Sequence, residues 1–242
     1  MALRARTGLV LLAICGAVLG WELLLGAGLT IAAPQMSEFG LYAIDKLGFA
    51  LAFAGFLTAR HLWRRCGFTG GFPTAALPLL WPLWLIAGLS AIQGFSDDGP
   101  ARIAGWFAIS AAVGFGEEGV FRGLIIAVLG EDRPRRAVAI SSLLFGGLHL
   151  AGLLAPIDYR YILVQAVAAG SLGLVLGCTR LLAGSLWPGI VAHTLLDFFG
   201  LAAAGGVADA MEFSEGTAAF ILGGALVSLA WGAVLWRRLP AD

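Results

Sequence analysis

Two histidines and several charged side chains of this sequence lie inside long apolar stretches. They are Glu117, Glu118, Arg122, His149, His193 and Asp197. A charged group costs about 2.5 to 3.5 kcal/mol at the centre of a membrane-spanning helix, so the groups kept there are candidates for function. Outside bulk water a carboxylate becomes a stronger base, and beside a histidine it can activate a trapped water molecule. Hydrolysis is therefore the first chemistry that these residue types predict.

The two adjacent acids of the segment 114–122 face different ways on a helix. Glu118 and Arg122 are four residues apart, which places them on one face as an ion pair. Glu117 points about 100° away from Glu118 and has no such local partner. We therefore expect the pair to be structural and Glu117 to be available for chemistry.

Each histidine has a neighbour one helical turn away. Phe145 precedes His149 by four residues, and Asp197 follows His193 by four. Depth is counted at ~1.5 Å per residue from the predicted cytoplasmic helix ends. His193 then lies ~14 Å deep, and Glu117, His149 and Asp197 each lie ~20 Å deep. We therefore expect one shared cavity for Glu117, His149, His193 and Asp197.

Two kinds of water activation are open to these four groups. A carboxylate with a histidine can act as the base, while His193 with Asp197 holds the oxyanion of the attacked amide. The second role requires Asp197 to be protonated, or to orient His193 as a donor. A bound zinc ion with its own hydroxide is the alternative, because all four side chains are acceptable ligands. The metal ligands would then be Glu117, His149, His193 and Asp197.

The composition predicts the elements that hold these residues. Of the 242 residues, 60% are hydrophobic and 12% are charged, and the mean hydropathy is +0.91, which excludes a water-soluble domain as the default. Basic and acidic residues cancel to zero net charge, so no overall field would attract nucleic acid. The three cysteines form no Cys-x-x-Cys pair, which argues against a disulfide framework or a thiolate metal site.

Eight apolar runs are long enough to cross ~30 Å of hydrocarbon. Their approximate limits are 9–33, 40–62, 75–95, 103–129, 136–155, 159–181, 185–204 and 217–236. The predicted fold is all-α, a polytopic membrane protein with a bundle of about eight transmembrane helices. We divide it into N-terminal spans at 1–100, a four-span core with the motifs at 101–204, and a C-terminal loop and last span at 205–242.

The placement of arginine predicts the orientation, because cytoplasmic loops retain Lys and Arg. Basic residues on one side of the eight spans are Arg4, Arg6, Arg60, Arg64, Arg65, Arg133, Arg135, Arg136, Arg180, Arg237 and Arg238. The opposite loops hold only Arg102 and Arg160. Both termini are therefore predicted to be cytoplasmic, and the run 9–33 is too long for a signal peptide and is predicted to be an uncleaved span. Abundant Arg, Ala and Gly are typical of a GC-rich bacterial genome, which predicts the inner (plasma) membrane.

Three short motifs follow one another in separate predicted spans. Glu117-Glu118-x-x-x-Arg122, Phe145-x-x-x-His149 and His193-x-x-x-Asp197 resemble the motifs of the CPBP family, the group of type II CAAX proteases and bacteriocin-processing intramembrane endopeptidases. The resemblance covers about residues 103–204. It implies proteolysis next to a lipid-embedded or prenylated cysteine.

The resemblance also implies a role for each motif residue. Glu117 would be the general base, His149 would assist the water, and His193 with Asp197 would form the oxyanion site. Glu118, Arg122 and Phe145 would support the geometry of the site. The eukaryotic prenyl-protein members have Asn where this chain has Asp197, a difference that gives weight to a metal-ligand role at this position.

The leading hypothesis is an intramembrane endopeptidase that acts on a membrane-embedded peptide or protein, with lipids as further partners, no nucleic acid and no required cofactor. One alternative is a non-catalytic immunity or scaffold protein, in which the polar network only holds helices together. Another is a proton-coupled transporter that uses Glu117 and the histidines as a relay. That alternative predicts an internal repeat, which the sequence does not show. No residue pattern indicates an oligomeric state.

Overall fold

Helices make up the regular structure of this chain. The computed structural model describes residues 2–242, except for the side chains of residues 2–5, 26 and 27. Met1, the first residue of the predicted unit 1–100, therefore lies outside the described residues. The same holds for the side chain of Arg4, which was used to predict the orientation. The described residues form helices and no strands, which confirms the all-α prediction.

Eight long helices follow one another within residues 2–242. They are α1 (Ala2–Trp21, a π-helical turn at Glu22–Gly26, and Ala27–Ala32), α2 (Glu38–Ala59), α3 (a 3₁₀ helix at Thr74–Leu80, then Trp81–Ala91), α4 (Pro100–Glu118, a π-helical segment at Gly119–Ile125, and Ile126–Leu129), α5 (Pro134–His149, then a 3₁₀ helix at Leu150–Leu154), α6 (Tyr159–Ala183), α7 (Trp187–Ala204) and α8 (Glu215–Arg238). A four-residue helix, Val207–Ala210, lies between α7 and α8.

Seven of the described helices are long and apolar enough to cross a membrane, where eight spans were predicted. They are Arg6–Ala32, Glu38–Ala59, Thr74–Ala91, Pro134–Leu154, Tyr159–Ala183, Trp187–Ala204 and Glu215–Arg238. The exception is α4, whose second half carries Glu117, Glu118 and Arg122 in an otherwise apolar helix. The chain is a polytopic membrane protein, and the long helix outside these seven is the one that carries the first motif.

Proline and glycine set several helix boundaries. Pro100, Pro134 and Pro188 lie in the first turns of α4, α5 and α7, where a backbone N–H has no partner within the helix. Gly184 ends α6, and Gly205 ends α7, in the left-handed conformation that glycine adopts without steric cost. The connections between α4 and α7 are consequently short.

The helices that carry the motifs pack against one another. Helix α4 packs along α7, and α6 packs against both α5 and α8. The apolar core around the motifs includes Phe53 of α2, Phe121 of α4 and Phe145 of α5. The polar residues of the motifs therefore meet at the junction of α4, α5 and α7, beside a dense aromatic core.

Helices α4 and α7 come especially close at Gly114. A methyl group on this residue would lie 2.8 Å from Thr194 Oγ1 and 3.0 Å from the carbonyl oxygen of Ile190, both on α7. These distances leave no room for a side chain. Since Glu118 follows one turn later on α4, this close approach also brings Glu118 within reach of α7.

Gly114→Ala is expected to destabilise the protein, because the added methyl group forces α4 and α7 apart. We expect a loss of about 1–3 kcal/mol, the usual cost of overpacking. Thermal unfolding of the purified protein in detergent measures this change. Gly200→Ala on α7 is the matched control, because a methyl group there meets nothing within 4 Å, and it should leave stability unchanged or slightly higher. Equal stability of both variants would contradict the close-packing argument.

Candidate functional site

Glu118 links two helices at the centre of the site. Its side chain is 1% exposed, and its Oε1 accepts a hydrogen bond of 3.0 Å from Nη1 of Arg122, the ion pair expected from the spacing. The same oxygen lies 3.0 Å from Nδ1 of His193 on α7. A carboxylate only accepts hydrogen bonds, so this imidazole nitrogen is the donor. Glu118 thus fixes the orientation of His193, a contact that the sequence did not predict.

The Arg122 guanidinium is fully buried among aromatic groups. Its central carbon lies 4.0 Å from the centre of the Phe145 ring and 5.9 Å from that of Phe121. Within residues 2–242, Nε and Nη2 of Arg122 have no hydrogen-bond partner, so Glu118 and the aromatic rings compensate its charge. Phe145 is 3% exposed and also contacts both histidine rings, with centres 4.8 Å from His149 and 6.0 Å from His193.

The other nitrogen of His193 faces two carboxylates. Its Nε2 lies 3.7 Å from Oε2 of Glu117 and 3.6 Å from Oδ2 of Asp197. These separations are longer than a hydrogen bond but within the range of an ion pair. Glu117 and Asp197 have side chains 29% and 32% exposed, whereas Glu118 is almost completely buried. The two acids beside Nε2 are therefore the ones that a substrate or water can reach.

His149 is the last residue of the α-helical part of α5. Its Nδ1 lies 2.8 Å from the carbonyl oxygen of Phe145, one turn earlier. A carbonyl oxygen can only accept, so Nδ1 carries the proton and Nε2 of the neutral ring is left as an acceptor. The one-turn spacing of Phe145 and His149 therefore fixes the tautomer of this histidine.

A cavity of ≈190 Å³ separates His149 from α7. His149, His193 and Asp197 line it, and apolar residues of α6 and α8 such as Leu172 and Phe220 complete the wall. Its volume accommodates several water molecules. Three of the four predicted groups therefore share one cavity.

Glu117 does not line this cavity, which corrects the expectation of a single pocket for all four groups. Among the described residues, its carboxylate lies within 4 Å of a histidine nitrogen at His193 and not at His149. Counting residues from a helix end gives a depth along the helix but no direction around the axis of α4. Glu118 faces α7 directly, and Glu117 approaches His193 from the side of α2.

A second polar cluster of α1 and α2 lies on that side. Lys46 Nζ contacts Glu22 at 2.7 Å and Asp45 at 2.9 Å, and the indole N–H of Trp21 donates to Asp45 at 2.9 Å. The bond between Lys46 and Glu22 joins α2 to α1, and Asp45 pairs with Lys46 beside it in the chain.

This second cluster lies within electrostatic range of the motif residues. Tyr42 of α2 interacts electrostatically with both Glu117 and Asp197, and Lys46 interacts with Asp197. Sequence analysis assigned no site role to Tyr42 or Lys46. Lys46 lies within the long apolar run 40–62, and this placement could have indicated a role for it in the site.

The predicted metal ligands are not arranged as a metal centre. Zinc requires three or four donors at ~2.0–2.3 Å from one point. In the part of the chain that the structure describes, no group of three His, Cys, Asp or Glu side chains is placed to hold a metal ion. Nδ1 of both His149 and His193 donates to a protein acceptor, so only Nε2 of each ring would be left for a metal ion. The residues as arranged therefore do not fit zinc.

A membrane-spanning helical bundle with acids and histidines between its helices defines a multi-pass membrane protein with an internal polar site. Residues 99–199 match the family model described as Type II CAAX prenyl endopeptidase Rce1-like. The resemblance to the CAAX protease family is thereby confirmed for this segment, about two fifths of the chain, which contains all three motifs.

The family matched over residues 99–199 is described as one of endopeptidases, which does not favour a non-catalytic immunity or scaffold protein. No curated protein and no solved structure matches the chain. The division into units at 1–100, 101–204 and 205–242 stays a prediction.

Proposed function

We propose that this protein is an intramembrane endopeptidase that hydrolyses a peptide bond of a membrane-associated, lipidated or unmodified, peptide or protein. The observation that carries the proposal is the convergence of two accessible carboxylates, Glu117 and Asp197, on Nε2 of a histidine whose Nδ1 is held by Glu118. The match to the Rce1-like family over residues 99–199 supports the protease class.

In the proposed reaction Glu117 accepts a proton from water as the water oxygen attacks the amide carbon. The carbonyl oxygen becomes negative and is stabilised by the N–H at Nε2 of His193, which Asp197 orients. In this proposal the His193 ring carries a proton on both nitrogens, because Glu118 faces Nδ1 while Glu117 and Asp197 face Nε2. The proton on Glu117 then passes to the amide nitrogen, the C–N bond breaks, and the carboxylate is regenerated. His149 lines the cavity together with His193, and its Nε2 can accept a hydrogen bond from a substrate amide or a water there. His193 connects the two sides of the site, because it also lies 3.7 Å from Glu117.

Three further residues have supporting roles in this proposal. Glu118 keeps His193 aimed at the reacting atoms, and Arg122 compensates the charge of Glu118 so that it stays ionised in a dry environment. Phe145 contacts the Arg122 guanidinium and both histidine rings, and thereby helps to hold these groups in place.

We further propose the inner (plasma) membrane of a bacterium as the location, with both termini in the cytoplasm. The arginines after α2, those after α4 and Arg180 in the last turn of α6 lie at one end of the bundle, where residues of all three segments line one pocket. The carboxylate of Asp242 accepts hydrogen bonds of 3.0 and 2.9 Å from the backbone N–H groups of Arg135 and Arg136. The C-terminal residue therefore lies at the same end.

The substrate is best identified in cells, by comparing membrane peptides in a strain with the wild-type protein and in one with Glu117→Gln. We expect at least one membrane protein or peptide to accumulate uncut in the variant strain, and its cleavage product to be missing. Identical peptide profiles, at equal amounts of the two proteins in the membrane, would count against the peptidase proposal.

Removal of metal ions is expected to leave the peptidase active, because the base in the proposed reaction is a carboxylate. The measurement is cleavage of the identified substrate before and after EDTA treatment, together with the metal content of the protein. We expect full activity with far less than one metal ion per chain. If activity is lost with EDTA and restored by zinc, the attacking group is a metal-bound hydroxide and not a water molecule deprotonated by Glu117.

A further inference from the structure

A second, larger pocket lies at the arginine-rich end of the bundle, away from the motif residues. It measures ≈580 Å³, within the ~300–1,000 Å³ range typical of small-molecule sites. Three connections form it: the loop after α2, the loop between α4 and α5, and the turn between α6 and α7. None of the proposed catalytic groups lines it.

Basic side chains dominate this pocket. Arg64, Arg65 and Arg180 line it, and Glu131 is the one acid among the lining residues. Thr69 adds a hydroxyl group, and much of the remaining wall is glycine. The pocket therefore carries a net positive charge and is chemically suited to an anion with several acceptor oxygens.

Arg180 is the buried anchor of the pocket. Its side chain is 7% exposed, and Nη2 donates a hydrogen bond of 2.9 Å to Oε1 of Glu131. Within residues 2–242, its Nε has no hydrogen-bond partner. A guanidinium has five N–H donors, and one partly exposed carboxylate does not satisfy them. Arg180 thus has hydrogen-bonding capacity left for a ligand, at a place where an unpaired charge is costly.

The local backbone keeps this arginine in place. Gly67 has φ +88°, and a methyl group on it would collide with the Arg180 guanidinium. Only glycine fits both the positive φ and the close approach. Arg65 is held separately, since its Nη2 donates to the carbonyl oxygen of Ala127 at 3.2 Å. Two of the three arginines are consequently positioned before any ligand arrives.

We propose that this pocket binds a phosphate group, and specifically the phosphodiester of an anionic phospholipid headgroup. Basic pockets between helix ends on the cytoplasmic side of a membrane are suited to such headgroups. The pocket lies at the ends of α2, α4 and α6. The end of a membrane-spanning helix lies at the level of the lipid headgroups. Free inorganic phosphate presents the same oxygens, so the test separates the two sources. The proposal does not depend on the peptidase activity.

The test uses the full-length protein in an uncharged detergent and measures its thermal unfolding midpoint with three probes. The probes are dioleoyl phosphatidylglycerol, dioleoyl phosphatidylcholine and inorganic phosphate. We expect phosphatidylglycerol to raise the midpoint by on the order of 5 °C at saturation, and the other two to have little effect. An equal rise with inorganic phosphate would assign the pocket to the free anion instead.

Two double variants show whether the effect belongs to this pocket. Arg64→Gln/Arg65→Gln should lose most of the shift with phosphatidylglycerol, whereas Arg133→Gln/Arg237→Gln should retain it. The control pair removes two exposed arginines at the same end of the bundle but outside the pocket. Equal shifts with both lipids, or equal losses in both double variants, would overturn the proposal.

A direct count of bound lipid covers the case in which the Arg64/Arg65 variant does not fold. Native mass spectrometry of the wild-type protein should show one phosphatidylglycerol retained after most detergent is removed. Arg64→Gln alone changes an exposed side chain and should lower that retention about tenfold. Retention of phosphatidylcholine to the same extent as phosphatidylglycerol, or unchanged retention in Arg64→Gln, would refute a phosphodiester site.

Discussion

Glu117→Gln is expected to leave a folded protein whose rate of peptide cleavage falls by about 10³-fold, within the range that a general base contributes. The amide has nearly the same shape as the carboxylate but cannot take a proton from water. Stability should change little, because Glu117 is part-exposed and its nearest ionic contact, at 3.7 Å from His193, is not a hydrogen bond. Initial rates on the substrate identified in cells, together with thermal unfolding, measure the two effects.

Glu212→Gln is the matched control for this prediction. Glu212 is an exposed acid in the loop before α8, far along the chain from the motifs. Its replacement removes one negative charge in the same way, and both cleavage and stability should be retained. A Glu117→Gln protein that cleaves at the wild-type rate would remove Glu117 from the mechanism and leave Asp197 as the accessible acid beside His193.

Arg122→Met should destabilise the protein by about 3–5 kcal/mol, the cost of leaving a buried charge without its partner. Glu118 would lose the 3.0 Å bond to the guanidinium while its side chain stays 1% exposed. Methionine approximates the volume of the arginine stem, so the loss reports mainly on charge rather than on a cavity. Unfolding free energies in detergent, measured at one pH and salt concentration, give the magnitude.

The double variant Glu118→Gln/Arg122→Met distinguishes a charge effect from a packing effect. It removes both charges, so it should be more stable than Arg122→Met alone. The exposed comparison is Arg133→Met, whose 4.0 Å contact with Asp132 should contribute less than about 1 kcal/mol. If Arg122→Met costs no more than Arg133→Met, the buried pair does not stabilise this fold.

Spacing along one helix was sufficient to predict the contacts within that helix. Four residues separate Glu118 from Arg122, and the pair forms. Four residues also separate Phe145 from His149, where the contact is a hydrogen bond to the backbone as well as a ring contact. Both follow from the 3.6-residue period and need no knowledge of the neighbouring helices.

Contacts between helices were predicted less well, because spacing gives depth but not rotation about the helix axis. His193 was paired with Asp197 on its own helix, whereas its hydrogen bond goes to Glu118 on α4. Gly114, which lets α4 approach α7, determines that rotation, and one glycine among the 35 of the chain gave no signal of this role. The placement of Glu117 outside the cavity has the same origin.

The polar cluster of α1 and α2 could be predicted only as isolated charges. Glu22 and Lys46 are 24 residues apart on different helices, so their 2.7 Å contact depends on how these helices pack. The family motifs lie entirely in the later part of the chain and carry no information on this packing. The position of Lys46 and Tyr42 within electrostatic range of Asp197 is therefore a result of the structure alone.

The π-helical segment Gly119–Ile125 also bears on how this chain should be aligned with others. A π-helical turn holds one residue more than an α-helical turn, so it absorbs an insertion without turning the flanking residues to new faces. A related chain with one residue fewer between its acid pair and the end of this helix could therefore keep the same architecture. An alignment without a gap at this segment would shift every later position of the helix by one residue. Two chains with the same helix would then look less similar in sequence than they are.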